Sequence, residues 1–265
     1  MINYKVGKKR YKPNELGSLY VDEKTLTSNS QPIIYIGGQM GHHGHILEQT
    51  GFTFDEGHNM FNGSWFFDYP VTGAKKQSYN ARHFSHNLTA ALKEANLHDV
   101  ILMTESFGGI IGAYATKSDL VSKVISIHSP ILGTPLANPE HIEKYKNLFN
   151  KKQKALLLAI KAIVNQEYGF QRDNYRGVYP KNIDLNKLLV VGSYLDIETE
   201  QNPLLRQTYE MIRKVTGYRS DGIIPFEPKE LQRLGFNCLV EDNHINHFQA
   251  NTKEHLEYVY KKTIK

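Results

Sequence analysis

The chain has 265 residues and a formal charge of +5 at pH 7, with 40% hydrophobic and 22% charged residues. This composition predicts a packed core and excludes an intrinsically disordered chain. The basic residues form short clusters, such as residues 8–10 and 151–154, that are typical of solvated surfaces. No nucleic-acid-binding motif accompanies them, so we expect no nucleic-acid partner.

The single cysteine and the apolar segments bound the setting of the protein. Cys238 alone excludes an internal disulfide, and its place in the apolar run 236–240 indicates a buried structural thiol. Residues 1–13 lack the apolar centre of a signal peptide, and the longest apolar stretch, residues 155–164, is too short to span a bilayer. Unless a leader has been removed, we expect a soluble, cytoplasmic protein without stable membrane insertion.

Short apolar runs alternate with helical patterns along the chain. The predicted strands cover residues 32–38, 64–71, 99–104, 121–127, 187–195 and 237–241. The predicted helices cover residues 81–97, 108–117 and 252–265. This alternation predicts one α/β domain over residues 1–265, with a mainly parallel central sheet and helices on both faces. Such sheets carry their reactive groups at the carboxyl ends of the strands.

One segment interrupts the alternation. Residues 138 to about 186 separate two predicted strands by more than one crossover requires. They contain a helical pattern over residues 150–166 and a tyrosine-rich polar tail. The apolar face of this pattern consists of Leu156, Ile160, Ile163 and Val164. We interpret the segment as a helical cap over the active site, with a crossover helix packed on the sheet as the alternative.

The sequence TESFGG, residues 104–109, joins a predicted strand to a predicted helix through a serine. A strand that reverses into a helix within so few residues places Ser106 in a strained conformation, with its hydroxyl projecting outward. Gly108 gives the close approach of strand and helix the room it needs. The backbone N–H of Phe107, at the start of the helix, would stabilise an oxyanion. The alternative is a serine in an ordinary strand-to-helix turn.

This stretch resembles the nucleophile elbow of the α/β-hydrolase family, whose pattern is G-x-S-x-G. Thr104 stands in the position of the first glycine, where some members carry threonine or alanine. A second similarity lies in residues 124–138, where a strand ends in a Ser-Pro turn followed by Gly-Thr-Pro, as in lipases. The resemblance covers residues 32–260 and favours the lipase and lecithin–cholesterol acyltransferase-like branch. It implies an α/β-hydrolase fold with a helical cap insertion.

The resemblance implies an acid and then a histidine downstream of the serine. The stretch SDGIIP, residues 220–225, resembles the acid loop of lipases and makes Asp221 the candidate acid. Asp196, directly after a predicted strand, is the second choice. His247 precedes the last predicted helix, where the family keeps its base, and His244 is the second choice. His244 and His247 could instead bind a metal through H-x-x-H, but no HExxH motif or nearby cysteine supports zinc. A third possibility is that both are surface loop histidines.

The resemblance also implies a second oxyanion donor in the loop after residues 32–38, from the backbone N–H of Gln39 or Met40. The stretch GHHGH, residues 41–45, follows directly. Three histidines so close together raise the possibility of a metal site, but neighbouring histidines point apart in most backbones. We interpret them as the polar lining of the cleft.

Together these features predict a serine hydrolase that cleaves carboxylic esters, of small-molecule or lipid-like substrates, through a Ser-His-Asp triad and an acyl-enzyme. Such chemistry requires no cofactor and no metal. Two alternatives remain: an acyltransferase or thioesterase using the same triad, and a non-catalytic binding protein with the same fold. The sequence does not indicate an oligomeric state.

Overall fold

The computed structural model describes residues 8–14, 16–22, 31–38, 64–69, 80–149, 151, 168–241 and 244–264. Within these ranges eight strands form one sheet in the order β1-β2-β4-β3-β5-β6-β7-β8. The strands are β1 (Lys8–Asn14), β2 (Gly17–Asp22), β3 (Ile33–Ile36), β4 (Ser64–Asp68), β5 (Val100–Glu105), β6 (Val121–Ile127), β7 (Leu188–Gly192) and β8 (Asn237–Val240). All neighbours from β4 to β8 pair in parallel, whereas β2 pairs antiparallel with β1 and β4.

Helices join and cover the strands. The described α-helices are α1 (Ala81–Glu94), α2 (Phe107–Ala115), α3 (Pro139–Lys144), α4 (Tyr168–Arg176), α5 (Pro203–Thr216), α6 (Pro228–Arg233) and α7 (Lys253–Thr263). Short 3-10 turns lie at Pro135–Ala137, Lys146–Leu148, Pro180–Asn182 and Leu185–Lys187. Among the described helices, none combines the length and the apolar character needed to cross a bilayer.

The two faces of the sheet are buried against different helices, as alternation along each strand requires. On one face Ile33, Ile101 and Ile125 pack against Leu256 and Val259 of α7. On the other face their sequence neighbours pack against α1 and α2, and the buried residues of this cluster include Ile34, Leu102, Val124, Leu88 and Ile110. A mainly parallel sheet covered on both faces was predicted, and the structure confirms it.

The six predicted strands and three predicted helices are present, with ends that differ by a few residues. The hairpin of β1 and β2, which extends the sheet in antiparallel sense, was not predicted. Its first strand, KKRYKPN, carries four basic residues and a proline, a composition typical of an exposed segment or an edge strand rather than a buried one. Helices α5 and α6 were not predicted either.

The segment interpreted as a cap is described at both of its ends. Its first part, through Phe149, packs against α5 in a cluster of apolar side chains that includes Leu204 and Met211. Its second part begins with α4 and returns to the loop after β6, where the N–H of Thr134 donates to the carbonyl of Asn174. The predicted helix over residues 150–166 lies almost wholly outside the described residues.

Candidate active site

Ser106 lies at the turn between β5 and α2, with φ of 51° and ψ of −125°. Positive φ is strained for a residue with a side chain, so the surrounding structure must hold this conformation. The N–H of Ser106 donates to the carbonyl of Ile127, and its own carbonyl accepts from Gly109. Strand β5, which leads into the turn, is buried along its whole length and so fixes the position at which the turn begins.

Glycines allow the close approach of α2 to the sheet. A Cβ at Gly108 would lie 2.4 Å from the carbonyl oxygen of Ile36 and 2.5 Å from that of Gly37. Thr104, which replaces the first glycine of the G-x-S-x-G pattern, is accommodated because it faces Gly112, where a Cβ would lie 2.8 Å from the Thr104 methyl group. The Thr104 hydroxyl donates to the carbonyl of Ile125. The departure from the pattern therefore leaves the tight turn intact.

The structure brings Ser106, His247 and Asp221 into one row. Ser106 Oγ lies 3.3 Å from His247 Nε2, and His247 Nδ1 lies 2.9 Å from Asp221 Oδ2. A carboxylate only accepts hydrogen bonds, so Nδ1 carries the proton and Nε2 faces the hydroxyl as an acceptor. The row thus has the connectivity of a nucleophile, a base and an orienting acid, at distances that suit a protein without bound substrate.

Asp221 is buried and accepts hydrogen bonds on both carboxylate oxygens. Oδ1 accepts from the backbone N–H groups of Ile223 and Ile224, at 2.9 and 2.7 Å. Gly222, with φ of +98°, makes the turn that brings these N–H groups around the carboxylate. Burial alone raises the pKa of Asp221, but the neighbouring histidines and their hydrogen bonds reverse this and hold the pKa well below its usual value.

The loop that carries His247 is fastened on both sides. The N–H of His247 donates to the backbone carbonyl of Asp221, and the hydroxyl of Ser193 donates to the carbonyl of Ile245. Burial alone lowers the pKa of His247, but the Asp221 carboxylate more than offsets this effect, so the pKa lies above its usual value. The neutral form of His247, the form that can accept a proton at Nε2, is therefore reached at a higher pH than in an ordinary histidine.

The two second-choice residues have other partners. His244 is exposed, and its Nδ1 lies 3.1 Å from the backbone carbonyl of Tyr194. Asp196 closes a local turn, in which its carboxylate accepts from the N–H of Glu198 and the hydroxyl of Thr199. The serine row therefore contains the first-choice base and acid.

Burial also raises the pKa of the Cys238 thiol, which suits a structural cysteine rather than a nucleophile.

The described part of the predicted oxyanion loop lies beside the serine. A Cβ at Gly38 would lie 3.0 Å from Ser106 Cβ, so the backbone approaches Ser106 closely there. The Tyr69 hydroxyl lies 2.7 Å from the Gly38 carbonyl and fixes the turn. Gln39 and Met40, the predicted donors, and residues 41–45 lie outside the described residues. Phe107, the other predicted donor, begins α2 directly after the serine.

Glu105 adds a buried acid that was not singled out from the sequence. It precedes Ser106, and its carboxylate accepts a hydrogen bond from the backbone of Gly38. Burial raises the pKa of Glu105, although His247 and the hydrogen bond from Gly38 oppose the rise. Glu105 in turn raises the pKa of His247, since a carboxylate close to the imidazole favours its protonated form.

A second buried histidine, also missed from the sequence, contacts Asp221. His128 follows β6 with φ of +47°, and its Nδ1 lies 2.8 Å from Asp221 Oδ2. Its other nitrogen contacts Glu241, which in turn contacts His255. His128 lies 93 positions from Asp221 and 113 positions from Glu241 along the chain. No sequence motif of fixed spacing therefore indicates these contacts. The available signal is a polar residue at the carboxyl end of a predicted strand, as at His128 and Glu241.

Two sets of donor atoms among the described residues have the composition of a metal site. One set is His128, Asp221 and His247, and the other is His128, Glu241 and His255. Within each set the potential ligand atoms lie within 4.8 Å of one another. The neighbouring nitrogen and oxygen atoms lie 2.7 to 2.9 Å apart, at hydrogen-bond distance. Two ligands on one tetrahedral zinc ion, each about 2.0–2.1 Å from it, would lie about 3.3 Å apart. The spacing therefore favours hydrogen bonds in both sets.

Several solved structures share the architecture. A Bacillus licheniformis lipase, BlEst2 in mature form, is 20% identical, with 88% of this chain and 91% of that chain covered and a TM-score of 0.53. A putative aryl esterase from Burkholderia cenocepacia is 13% identical, with 96% of each chain covered and a TM-score of 0.53. MGS-M2, an alpha/beta hydrolase enzyme from a Medee basin deep-sea metagenome library, is 13% identical, with 97% and 98% covered and a TM-score of 0.52.

No family model and no curated protein matches the chain. At these identities the solved structures establish the architecture, and the chain has the α/β-hydrolase fold that was predicted. The narrower assignment to a lipase and lecithin–cholesterol acyltransferase-like branch stays a prediction. Because one fold hosts many activities, the function must be argued from the site.

Proposed function

We propose that the protein is a serine hydrolase that cleaves carboxylic esters. One observation carries the proposal: Ser106 Oγ, His247 and Asp221 form a single hydrogen-bonded row on a strained strand-to-helix turn. A serine in an ordinary turn requires neither the strain nor the two partners. The similarity to BlEst2, a lipase, and to the Burkholderia protein, a putative aryl esterase, supports the same reaction class.

In the proposed reaction Ser106 Oγ attacks the ester carbonyl carbon while its proton passes to His247 Nε2. The imidazolium that forms is stabilised by the Asp221 carboxylate at Nδ1. The backbone N–H of Phe107, with that of Gln39 or Met40, holds the negative oxygen of the tetrahedral intermediate. The intermediate collapses, the His247 proton passes to the departing alkoxide, and the acyl group stays on Ser106.

Water then repeats the sequence in the second half of the reaction. Its oxygen attacks the acyl carbon, its proton passes to His247, and collapse returns the proton to Ser106 Oγ. The products are a carboxylic acid and an alcohol, and no cofactor takes part.

The proposed substrate carries an apolar acyl group. Phe248, next to His247, has 53% of its surface exposed, although aromatic side chains are usually more buried. The segment from residue 138 to about 186 is proposed as the cap. Its second part returns to the loop after β6, where a Cβ at Gly133 would lie 2.1 Å from the Tyr175 carbonyl. Residues 174–178 of the segment are therefore attached to the loop that follows β6, the strand beside that of Ser106.

A series of nitrophenyl esters with rising acyl length tests the reaction and the chain preference together. We expect hydrolysis by the wild type and loss of hydrolysis in S106A. The matched control is S122A, because Ser122 lies near the start of β6, at the opposite end of the sheet from Ser106. A wild type that hydrolyses no member of the series, or an S106A variant that keeps its rate, would overturn the proposal.

Acyl transfer and thioester cleavage proceed through the same acyl-enzyme, so the same row of residues serves them. Adding an alcohol acceptor or a thioester to the assay separates these reactions by their products. A binding protein without catalysis would fail to react with a fluorophosphonate, whose phosphorus is attacked by an activated serine.

A further inference from the structure

Asp221 is held from two sides by histidines. His247 and His128 both present Nδ1 to the same oxygen, Oδ2, at 2.9 and 2.8 Å. With the two backbone N–H groups on Oδ1, the carboxylate accepts four hydrogen bonds. The side chain of His128 is completely enclosed and that of Asp221 is 1% exposed. The acid of the proposed triad is therefore part of a larger buried assembly.

The assembly continues away from Ser106. His128 Nε2 lies 2.8 Å from Glu241 Oε2, and the other oxygen of Glu241 lies 2.7 Å from His255 Nε2. His255 Nδ1 lies 2.6 Å from the carbonyl oxygen of Ala250. Glu241 follows β8 and its N–H donates to the carbonyl of Gly192, whereas His255 belongs to α7. Glu241 and His255 thus stand at the two ends of the loop that carries His247.

The hydrogen bonds define the charge of His128. Each of its ring nitrogens faces a carboxylate oxygen, and a carboxylate accepts hydrogen bonds but does not donate them. Both nitrogens therefore carry a proton, and the ring is an imidazolium. Burial alone lowers the pKa of His128. The hydrogen bonds that its ring donates to Asp221 and Glu241, with the charges of these carboxylates, outweigh burial and raise the pKa to about 9.

We propose that His128 is a positioning residue for the reaction proposed above: a buried imidazolium that holds Asp221 opposite His247 and, through Glu241 and His255, ties the His247 loop to the last helix. The proposal rests on the proposed function of the Ser106 row. His128 touches no reacting atom and acts through Asp221 and the loop. Glu241 accepts the hydrogen bond of the second ring N–H, which would otherwise be buried without a partner.

A positive charge at His128 also tunes the base. It contacts the same oxygen of Asp221 as His247 does and lowers the pKa of His247, against the larger opposite effect of Asp221. Several charged and titratable groups surround His128. They are Asp221, His247, Glu241 directly after β8, His255 of α7 and Glu105 of β5. Loss of the His128 charge leaves the acidic groups to act on His247 unopposed. The proton of His247 is then held more tightly.

The first test is the effect of His128→Gln on the pH profile of ester hydrolysis. We expect the acidic limb of the kcat/KM profile to move to higher pH. We also expect kcat to fall about 10–100-fold with little change in KM, since a misplaced base slows the chemical step. His98→Gln, at an exposed histidine, is the matched control and should leave both unchanged. An unaltered limb and rate in H128Q would overturn the proposal.

The second test requires no activity. In protein labelled with ¹⁵N-histidine, we expect one ring, absent from the H128Q spectrum and present in that of H98Q, to keep protons on both nitrogens at pH 8. A His128 ring that loses a proton near pH 6.5 would overturn the proposal, and so would stoichiometric zinc in the purified protein. If H128Q does not fold, H128Q/E241Q replaces the ion pair with two amides and removes the carboxylate that H128Q leaves with His255 as its remaining partner. Failure of the proposed function shows separately, as a wild type without ester hydrolysis whose spectrum still reports on His128.

Discussion

Replacing Asp221 with asparagine is the most informative single change in the proposed row. The carboxylate accepts two hydrogen bonds on each oxygen, from His247 and His128 on Oδ2 and from Ile223 and Ile224 on Oδ1. An asparagine side chain of the same shape has one accepting oxygen and one NH₂ group. Whichever way it turns, two N–H donors face an NH₂ group.

Both rate and stability should fall in D221N. With the wrong hydrogen-bond partner at Nδ1, His247 no longer presents its basic nitrogen to Ser106, and loss of this orientation in a triad lowers kcat about ten-thousandfold. The substitution also removes one partner of the buried His128 cation, a change that costs about 3–5 kcal/mol in the free energy of unfolding. Steady-state hydrolysis of a nitrophenyl ester measures the first effect and urea unfolding measures the second.

Asp196→Asn is the matched control for the second-choice acid. Asp196 is partly exposed and closes a local turn, so D196N should keep kcat within a few-fold and change the free energy of unfolding by no more than about 1 kcal/mol. A D221N variant with wild-type kcat would refute the reasoning. So would a D196N variant that loses the activity in its place.

Three further outcomes follow from the same geometry. Because the pKa of His247 lies above its usual value and the base must be neutral, kcat/KM should rise with pH through a limb above 6.5, and a limb below it would contradict the assignment of the base. Gly108→Ala should lower the free energy of unfolding by about 1–3 kcal/mol, since its Cβ would meet the Ile36 carbonyl, whereas Gly217→Ala meets no atom within 4 Å and tests the cost of positive φ alone. His128 has a folded-state pKa of about 9 against about 6.5 when unfolded, so its stabilising effect is complete below pH 6.5 and is lost as the pH rises through 9. Urea unfolding of the wild type should therefore show a fall of about 3 kcal/mol in the free energy of unfolding over this pH range, and H128Q should not show this fall.

Much of the fold was predictable because each central strand is short, apolar and followed by a polar turn. The turn at Ser106 was predictable because a strand that reverses into a helix within a few residues forces a strained backbone at its apex. The structure shows this strain as a positive φ at Ser106. Helix α5 was not predicted, although Asn202, Pro203 and Gly217 mark its ends. The hairpin of β1 and β2 has no strong alternation to reveal it.

The connections around Asp221 were beyond sequence reasoning. His128, Glu241 and His255 come from three elements that only the order of the parallel strands brings together, with β6, β7 and β8 as neighbours. A histidine after a strand is an ordinary loop residue until its partners are placed. Sequence order indicated an acid followed by a histidine, but the second histidine on the acid lies upstream of both.

Covalent labelling tests the central claim most directly, because it reports the serine rather than a product. The protein is treated with a fluorophosphonate and the labelled peptide is located by mass spectrometry in the wild type, S106A, H247A and H244A. We predict one label per chain on Ser106, no label in S106A, strongly slowed labelling in H247A and near-normal labelling in H244A. A wild type that stays unlabelled, or that carries the label on another residue, would contradict the account.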